Sequence, residues 1–217
     1  MRIVGVDEAG RGSFLGPLVV GAFAISADRI EELRAAGARD SKALSSAARA
    51  ACYARLRALG TARSIALDAG AVDRAVARHR LNDLEAAAFG RLLGGLRPDE
   101  ARVDACDANP ARFAERVRRA GGLRGAVVAR HHADRDDPVV GAASIVAKVR
   151  RDRAIARLAG HLGVPVGSGY PSDRVTVEFV RGWLAAHPEP PPWLRRSWAT
   201  MGRVKPPGPA RPLDRYG

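Results

Sequence analysis

The sequence predicts an α/β layer fold in which a mixed central sheet is flanked by helices. Three observations support this prediction: two strand-like segments come first, helical and strand-like segments then alternate, and no segment is repeated along the chain. The 217 residues suit one domain, and a hydrophobic content of 47% is enough for a sizeable core. Because aromatic residues make up only 5% of the chain, Ala, Val and Leu have to build that core.

In the N-terminal half, strand-like runs surround a glycine-rich turn, and segments with helical periodicity follow them. The predicted strands are residues 2–6, 17–25 and 62–70, and the predicted helices are residues 27–37, 45–59, 71–79 and 81–95. Ser45 and Ser46 are suitable N-caps for the second of these helices, and Gly60 is a suitable stop.

The C-terminal half continues the alternation and then changes in composition. Its predicted elements are strands at 101–107 and 125–134, a helix that starts at Asn109-Pro110, helices at 138–162 and 173–186, and a turn cluster, GSGYPSD, at 167–173. Residues 203–217 contain four prolines and few apolar residues, so we predict a disordered, basic, proline-rich tail there.

The charge balance favours a polyanionic partner. Thirty-six Lys and Arg stand against 23 Asp and Glu, which gives a formal net charge of +13. Nucleic acid is the most frequent partner of so basic a protein, and an anionic membrane is the second. An arginine-rich composition without any ligand would give the same count, so charge alone does not decide between them.

The cysteines and the N-terminus indicate where the protein works. Cys52 and Cys106 lack the close spacing of a disulfide framework or a zinc site, so we predict free thiols in a reducing compartment. Asp7, Glu8 and Arg11 interrupt the N-terminal apolar stretch, which therefore does not resemble a signal peptide. No apolar run approaches the roughly 20 residues that cross a bilayer. We expect a cytoplasmic protein without a membrane partner.

Carboxylates stand at the ends of several strand-like runs. Asp7 and Glu8 follow the first run, Asp104 lies in a later short one, and Asp134 ends the last. In a layered α/β sheet, strand ends converge at one edge, where four anions would repel one another unless cations bound among them. An all-oxygen site suits Mg²⁺ or Mn²⁺, and two such ions about 4 Å apart are a usual arrangement for phosphodiester hydrolysis.

Each of these acids has an alternative explanation. An Asp-Glu pair before glycine is more often a solvated turn. Asp107 rivals Asp104 and can instead serve the turn that follows it, whereas Asp136 and Asp137 rival Asp134 and can cap the next helix. Spacing alone does not choose among them.

The helix predicted at 138–162 carries polar side chains on one face. Ser144, Lys148 and Arg151 are spaced i, i+4 and i+7, so a hydroxyl, an ammonium and a guanidinium are aligned and could contact successive phosphates. A solvated amphipathic face is the other explanation of this spacing.

Seven segments, taken in order, resemble the ribonuclease HII family, and two of them, the DxNPxRF and GSGYPSD patterns, resemble its archaeal branch most. The resemblance spans about residues 3–200, which makes it more specific than any single motif. The segments are GVDEAGRGSFLGPLVV at 5–20, DSKAL at 40–44, LNDLEA at 81–86, VDACDANPARF at 103–113, HHADRDDPVVGAASIVAKVRRD at 131–152, GSGYPSD at 167–173 and RRSWAT at 195–200.

The resemblance implies a ribonuclease H-like fold, with a catalytic domain over residues 1–165 and a C-terminal helical extension over 166–202 packed on it. It implies hydrolysis, with Mg²⁺ or Mn²⁺, of the RNA strand of RNA–DNA hybrids. It also implies incision on the 5′ side of single ribonucleotides embedded in duplex DNA. The products would carry 3′-hydroxyl and 5′-phosphate ends.

Matching motifs also assign the acidic residues. Asp104 is preferred to Asp107 because it takes the first acidic position of VDACD, and Asp134 is preferred because it is the acid of HHAD. Two divalent ions per site are expected, and the implied catalytic and metal-binding residues are Asp7, Glu8, Asp104 and Asp134.

The resemblance further implies contacts to nucleic acid. The Gly10-Arg11-Gly12 loop would hold the nucleotide at the RNA–DNA junction, because glycines allow close approach and Arg11 can bind phosphate. Tyr170 would stack near the junction sugar and sense its 2′-hydroxyl, the group that distinguishes RNA from DNA. Further phosphate contacts are expected from Lys42, Ser144 and Lys148.

The chain departs from the family pattern at two places near the expected site. Ser13-Phe14 stands where the family usually has Pro and an aliphatic residue, and Gly141 stands where Ser is common. Both departures bear on rate and substrate preference. The related ribonuclease HIII family shares the fold but has a different loop and an extra N-terminal domain, so the intact Gly-Arg-Gly loop favours ribonuclease HII.

Two other functions fit parts of the sequence. A non-catalytic module that binds hybrids by charge would explain the net charge but not the strand-end acids, whereas a transposase or junction resolvase would use a similar acidic cluster on DNA. We expect a monomer that binds hybrids and ribonucleotide-containing duplexes. Some relatives carry a C-terminal peptide that binds a replication clamp, and PPGPARPLDRYG contains no convincing version of it.

Overall fold

The computed structural model describes residues 1–38 and 44–197. Lys42 and the predicted tail at 203–217 lie outside these residues. Within the described part of the chain, no helix is long and apolar enough to cross a membrane.

A five-stranded mixed sheet forms the centre of the molecule, which confirms the predicted fold class. The strand order is β3-β2-β1-β4-β5. Strand β2 pairs antiparallel with both β1 and β3, whereas β4 pairs parallel with both β1 and β5. The strands are β1 (Arg2–Ala9), β2 (Leu18–Ser26), β3 (Thr61–Leu67), β4 (Glu100–Asp104) and β5 (Val127–Arg130).

Helices cover both faces of this sheet. Side chains cap several of them: Ser45 accepts from the Ala48 amide and Gly60 ends the same helix, as predicted. The helices are α1 (Ile30–Ala35), α2 (Ser46–Leu59), α3 (Ala69–Ala77), α4 (Leu81–Leu96), α5 (Pro110–Gly121), α6 (Ala133–Asp136), α7 (Pro138–Leu162) and α8 (Arg174–Ala186).

Two hydrophobic cores lie on opposite faces of the sheet. One contains Phe89 of α4 and Phe113 of α5, whose rings meet edge to face with centroids 5.3 Å apart. The other lies between the sheet and helices α2 and α7. The sheet is therefore buried on both sides, and its strand ends are where polar side chains can reach solvent.

Helix α7 lies unusually close to strands β1 and β2 because glycines face it. A Cβ at Gly5 would lie 2.3 Å from the Val139 carbonyl oxygen, and a Cβ at Gly21 would lie 2.5 Å from the Ala147 amide nitrogen. The absence of side chains at these two strand positions lets the helix backbone rest on the sheet. This approach brings the polar residues of α7 beside the end of β1.

A smaller cluster joins the C-terminal part of the described chain to the loop between β1 and β2. Phe14 and Leu15 of this loop pack with Ile155, Val180 and Leu194. Leu15 and Leu194 also form an isolated antiparallel bridge. Segments far apart in sequence therefore hold the loop that contains the Gly-Arg-Gly motif.

Three predicted boundaries were wrong at the site. The strand predicted at 101–107 ends at Asp104, where its ladder with β5 ends. Strand β1 continues through Asp7 and Glu8, because pairing with β2 extends to the Ala9–Val19 pair. The last predicted strand ends at Arg130, where its ladder with β4 ends, and Asp134 lies in the short helix α6. The carboxylate of Asp134 thus comes from a helical turn after the strand end.

Candidate active site

Three carboxylates meet at the C-terminal edge of strands β1 and β4. One oxygen each of Asp7, Glu8 and Asp104 lies within 4.8 Å of the others. The register explains this, since Val6 pairs with Val103 and the next residues along the parallel strands are Asp7 and Asp104. The adjacent strands therefore place acids from distant parts of the sequence side by side.

Asp134 lies beside this group, on the side covered by helix α7. Its Oδ2 is 4.0 Å from the Lys148 Nζ, and that ammonium donates to the Ser144 hydroxyl across 2.9 Å. Helix α6 is attached to β4, because the Ala133 amide donates to Asp104 Oδ1 across 2.7 Å. The structure thus brings Asp134, Ser144 and Lys148 to the carboxylate group. Arg151, the third polar residue predicted on this face of α7, is instead buried and donates to the Ser168 carbonyl oxygen across 2.9 Å.

Burial and mutual repulsion make this site unfavourable for bare carboxylates. Burial, reinforced by the Asp104 charge, raises the pKa of Asp7 to about 6, although Ser144 and Lys148 act in the opposite direction. Burial, reinforced by Asp7 and Glu85, raises the pKa of Glu8 well above its ordinary value. A cation among these oxygens would remove that cost.

The donor set fits a hard divalent cation. All three clustered groups are carboxylates, the ligand type that Mg²⁺ and Mn²⁺ prefer. Glu8 Oε2 is buried and has no hydrogen-bond partner among the described residues, although such oxygens are normally satisfied. Asp7, Glu8 and Asp104 are therefore the residues that would hold the metal.

The Gly10–Gly16 loop follows directly after the acids and is held by its backbone. Gly10 and Gly16 have φ values of 89° and 75°, in the left-handed region that favours glycine. The Arg195 guanidinium is fully buried and donates to the carbonyl oxygens of Gly10, Arg11 and Gly16. The loop that carries Arg11 therefore has a fixed shape.

Tyr170 reaches the same loop from the GSGYPSD turn. The Phe14 and Leu15 amides both donate to the Gly169 carbonyl oxygen. The guanidinium of the buried Arg151 lies over the Tyr170 ring, 4.3 Å from its centroid. Hydrogen bonds thus join the turn to the loop that follows Asp7 and Glu8. The predicted contact Lys42 lies outside the described residues.

Sequence comparison identifies the family to which this arrangement belongs. Residues 4–201 match the family described as Ribonuclease HII. The ribonuclease HII of Cenarchaeum symbiosum is 47% identical over 199 residues, which cover 91% of this chain and 95% of that protein. The chain belongs to the ribonuclease HII family.

Solved structures of ribonuclease HII relatives agree with the fold. Ribonuclease H2 from Pyrococcus horikoshii superposes with a TM-score of 0.86 at 36% identity, covering 94% of this chain and 97% of that one. The ribonuclease HII of a PCNA complex from Archaeoglobus fulgidus superposes with a TM-score of 0.85 at 35% identity and the same coverage. The fold is ribonuclease H-like, and the protein is an endoribonuclease of RNA–DNA hybrids.

The departures from the ribonuclease HII pattern have local structural explanations. Ser13 is buried, and its hydroxyl donates to the Gly10 carbonyl oxygen across 2.9 Å, a bond that proline cannot make. Phe14 fills the cluster with Ile155. At Gly141 a Cβ would lie 2.3 Å from the Ala38 carbonyl oxygen, so serine does not fit there without movement. Ser13, Phe14 and Gly141 therefore each fit their local surroundings in this chain.

The rival acids have other partners. Asp107 accepts from Arg112 Nη2 across 2.5 Å, and this contact holds the pKa of its carboxyl well below the usual range. Asp137 caps α7 by accepting from the Val139 amide and also pairs with Arg102, whereas Asp136 is exposed. The carboxylates of Asp107 and Asp137 are therefore already occupied by arginine and backbone-amide donors.

Sequence reasoning gave no role to Glu85 or Arg195, although both lie in segments that resemble the family. Glu85 is fully buried, and its Oε1 lies 3.0 Å from Arg11 Nε. The segments LNDLEA and RRSWAT contain these residues, but no periodicity or spacing signals that either side chain contacts the loop. In the sequence, the presence of a charged residue within a segment that resembles the family was the one indication that Glu85 or Arg195 has a role.

Proposed function

We propose that this enzyme, besides cleaving the RNA strand of hybrids, incises duplex DNA on the 5′ side of a single embedded ribonucleotide. The observation that supports this most is that the Arg11 loop directly follows Asp7 and Glu8 and is hydrogen-bonded to the turn that carries Tyr170. A site that reads the 2′-hydroxyl of one nucleotide needs a group fixed beside the scissile phosphate. Tyr170 has such a fixed position because Arg151 lies against it.

We propose hydrolysis by in-line attack of water on phosphorus, with cleavage of the bond to the 3′-oxygen. Water supplies the oxygen that stays on the 5′-phosphate and the proton that completes the 3′-hydroxyl. Two divalent cations would supply activation of the water and stabilisation of the leaving oxygen. Asp7, Glu8 and Asp104 would hold them, with Asp134 as a further ligand or as a group that orients the water.

The remaining proposed residues bind and orient the substrate. The Gly10-Arg11-Gly12 backbone would lie against the junction nucleotide, and the Arg11 guanidinium would bind a phosphate. Lys148 and Ser144 lie next to Asp7, where they can contact the phosphate that is attacked or keep the neighbouring carboxylates ionised. Lys42 is proposed as a further phosphate contact.

We propose that one chain carries the complete site, since the proposed ligands and loop residues all come from this chain. A relative from Archaeoglobus fulgidus assembles with PCNA. A clamp interaction of this chain stays a prediction, because its C-terminal residues lie outside the described part and contain no convincing clamp-binding peptide.

The proposed function is tested with three labelled duplexes: DNA with one ribonucleotide, DNA alone, and an RNA–DNA hybrid. Each is incubated with Mg²⁺, Mn²⁺ or a chelator, and the products are resolved on a denaturing gel. We expect a metal-dependent cut 5′ to the ribonucleotide and none in the DNA control. Cleavage of the hybrid alone would contradict the proposed junction incision, and binding without any cleavage would favour a non-catalytic module.

A further inference from the structure

We propose that Glu85, Asn82 and Asp107 are positioning residues that hold the Arg11 side chain in one orientation toward the nucleic acid backbone. This inference rests on the proposed function, because it assumes that Arg11 contacts a phosphate. It gives a role to two segments, LNDLEA and DANPAR, that the proposed chemistry leaves without one.

Glu85 is the first observation that supports the proposal. Its side chain is fully buried, and Glu85 Oε1 lies 3.0 Å from Arg11 Nε. Neither carboxylate oxygen has a well-aligned hydrogen bond among the described residues. The polar neighbours of the carboxylate include the Arg11 guanidinium, which makes that contact an ion pair, and the Cys106 thiol. A buried carboxylate with so few partners is destabilising by itself. Its position is therefore better explained by what it does to Arg11 than by stability.

Asn82, one turn earlier on helix α4, holds the other end of the same guanidinium. Arg11 Nη2 donates to Asn82 Oδ1 across 2.6 Å, and Asn82 Nδ2 donates to Asp107 Oδ2 across 3.1 Å. These contacts fix the amide orientation, since the oxygen faces a donor and the nitrogen faces a carboxylate. Arg11 is thus held at both Nε and Nη2.

Asp107 connects this pair to helix α5. It is buried, accepts from Arg112 Nη2 across 2.5 Å and accepts from the Asn109 amide across 2.9 Å. Asn109 in turn caps α5 by accepting from the Arg112 amide across 3.0 Å. The network therefore ends at the capped N-terminus of helix α5.

The geometry leaves Arg11 able to bind a phosphate. A guanidinium carries five N–H groups, and the contacts with Glu85 and Asn82 account for two of them. The Arg11 side chain is 36% exposed, so part of it still faces solvent beside the loop. A charged fork that is already oriented loses less rotamer entropy on binding. The network would therefore increase affinity for substrate rather than the rate of the chemical step.

The test compares Arg11→Ala, Glu85→Gln and the double variant with the unchanged protein. Binding to a ribonucleotide-containing duplex is measured by fluorescence anisotropy in chelator over a series of salt concentrations. Removing one phosphate contact lowers the slope of log K against log salt by about 0.9. We expect this loss of slope for Arg11→Ala. We expect Glu85→Gln, which keeps the Arg11 charge, to lower the binding constant at every salt concentration, and the double variant to bind no more weakly than Arg11→Ala.

Steady-state kinetics give a second measurement. We expect Glu85→Gln to raise KM by about tenfold, the order expected for one charge-assisted contact. We expect kcat to stay within about twofold at saturating Mg²⁺, a condition that is needed because the Glu85 charge also acts on Glu8. Glu32→Gln is the matched control, because Glu32 also pairs with an arginine, Arg29, but on an exposed surface. Its slope and KM should equal those of the unchanged protein.

Several results would overturn the proposal. They are an unchanged salt slope for Arg11→Ala, an unchanged binding constant and KM for Glu85→Gln, and effects of the two substitutions on the binding constant that add in full. If Glu85→Gln does not fold, as shown by thermal unfolding, Asn82→Ala replaces it with the same expectations. The binding measurement needs no cleavage, so failure of the proposed junction incision is seen separately in the gel assay.

Discussion

Arg195 Nη1 donates to the Gly10 carbonyl oxygen across 2.6 Å, although the two residues are 185 positions apart. The same guanidinium donates to the carbonyl oxygens of Arg11 and Gly16. Burial lowers the pKa of Arg195 to about 10, which still leaves it charged at neutral pH. The buried Arg195 cation donates its hydrogen bonds to backbone carbonyl oxygens and thus fixes the loop that follows the carboxylates.

Replacement of Arg195 by methionine is expected to lower the free energy of unfolding by about 2–4 kcal/mol. The buried Gly16 carbonyl oxygen would lose its Arg195 donors, and the Gly10 carbonyl oxygen would keep, among the described residues, only its contacts with Ser13. Urea unfolding followed by circular dichroism measures the change. Arg196→Met is the control, because Arg196 is exposed and should change stability by no more than about 0.5 kcal/mol. Equal effects of the two substitutions would refute the structural role of Arg195.

Asp7→Asn is expected to abolish cleavage while preserving binding to the hybrid. An amide supplies one neutral oxygen in place of an anionic ligand, whereas the proposed substrate contacts lie elsewhere. Product formation is followed over time with saturating Mg²⁺, and binding is measured by anisotropy. Asp136→Asn serves as the matched control, since this exposed acid was the alternative to Asp134 in the sequence and its replacement should leave turnover unchanged. Near-normal turnover of Asp7→Asn would refute the metal-site assignment.

Metal binding and pH should both change the free energy of unfolding through the Asp7 carboxylate. In the absence of metal, folded Asp7 keeps its proton up to about pH 6, whereas the unfolded chain loses it near 3.8. The native state therefore binds more protons in this window, and the contribution of Asp7 to stability falls as pH rises from about 4 to 6. Above about pH 6 the buried Asp7 carboxylate is ionised, and its full destabilising effect remains until a cation binds beside it.

This linkage is measured as the melting temperature of the unchanged protein minus that of Asp7→Asn, in chelator, between pH 4 and 8. The difference should become more negative through pH 4–6 and then level off. Added Mg²⁺ should raise the melting temperature of the unchanged protein more at pH 7.5 than at pH 5. A flat difference across the range would show that Asp7 titrates normally in the folded protein.

Gly141→Ser, the residue common in the family, is expected to destabilise this chain by about 1–3 kcal/mol. The new Cβ would lie 2.3 Å from the Ala38 carbonyl oxygen, so the backbone has to shift. Gly95→Ser on helix α4 is the control, because a Cβ there meets no atom of the described residues within 4 Å. Thermal unfolding of both variants tests this, and an equal change in the two would contradict the packing explanation.

Local patterns in the sequence were sufficient for most of the fold. The periodicity of 138–162 predicted helix α7, which spans Pro138–Leu162. The run 125–134 was mistaken for a single strand, because its composition does not reveal that its ladder partner β4 ends at Asp104. The length of a strand depends on the strand that pairs with it, and that partner is not visible in the local sequence.

The candidate site divides in the same way. From the sequence, the acids near strand ends predicted a site for divalent metal, and the resemblance of seven ordered segments to ribonuclease HII predicted the nuclease activity. Only the tertiary structure placed Asp107 against Asn82, Glu85 against Arg11 and Arg195 under the loop. Burial and ion pairing depend on which distant segments pack together, whereas a sequence pattern reports only the preferences of neighbouring residues.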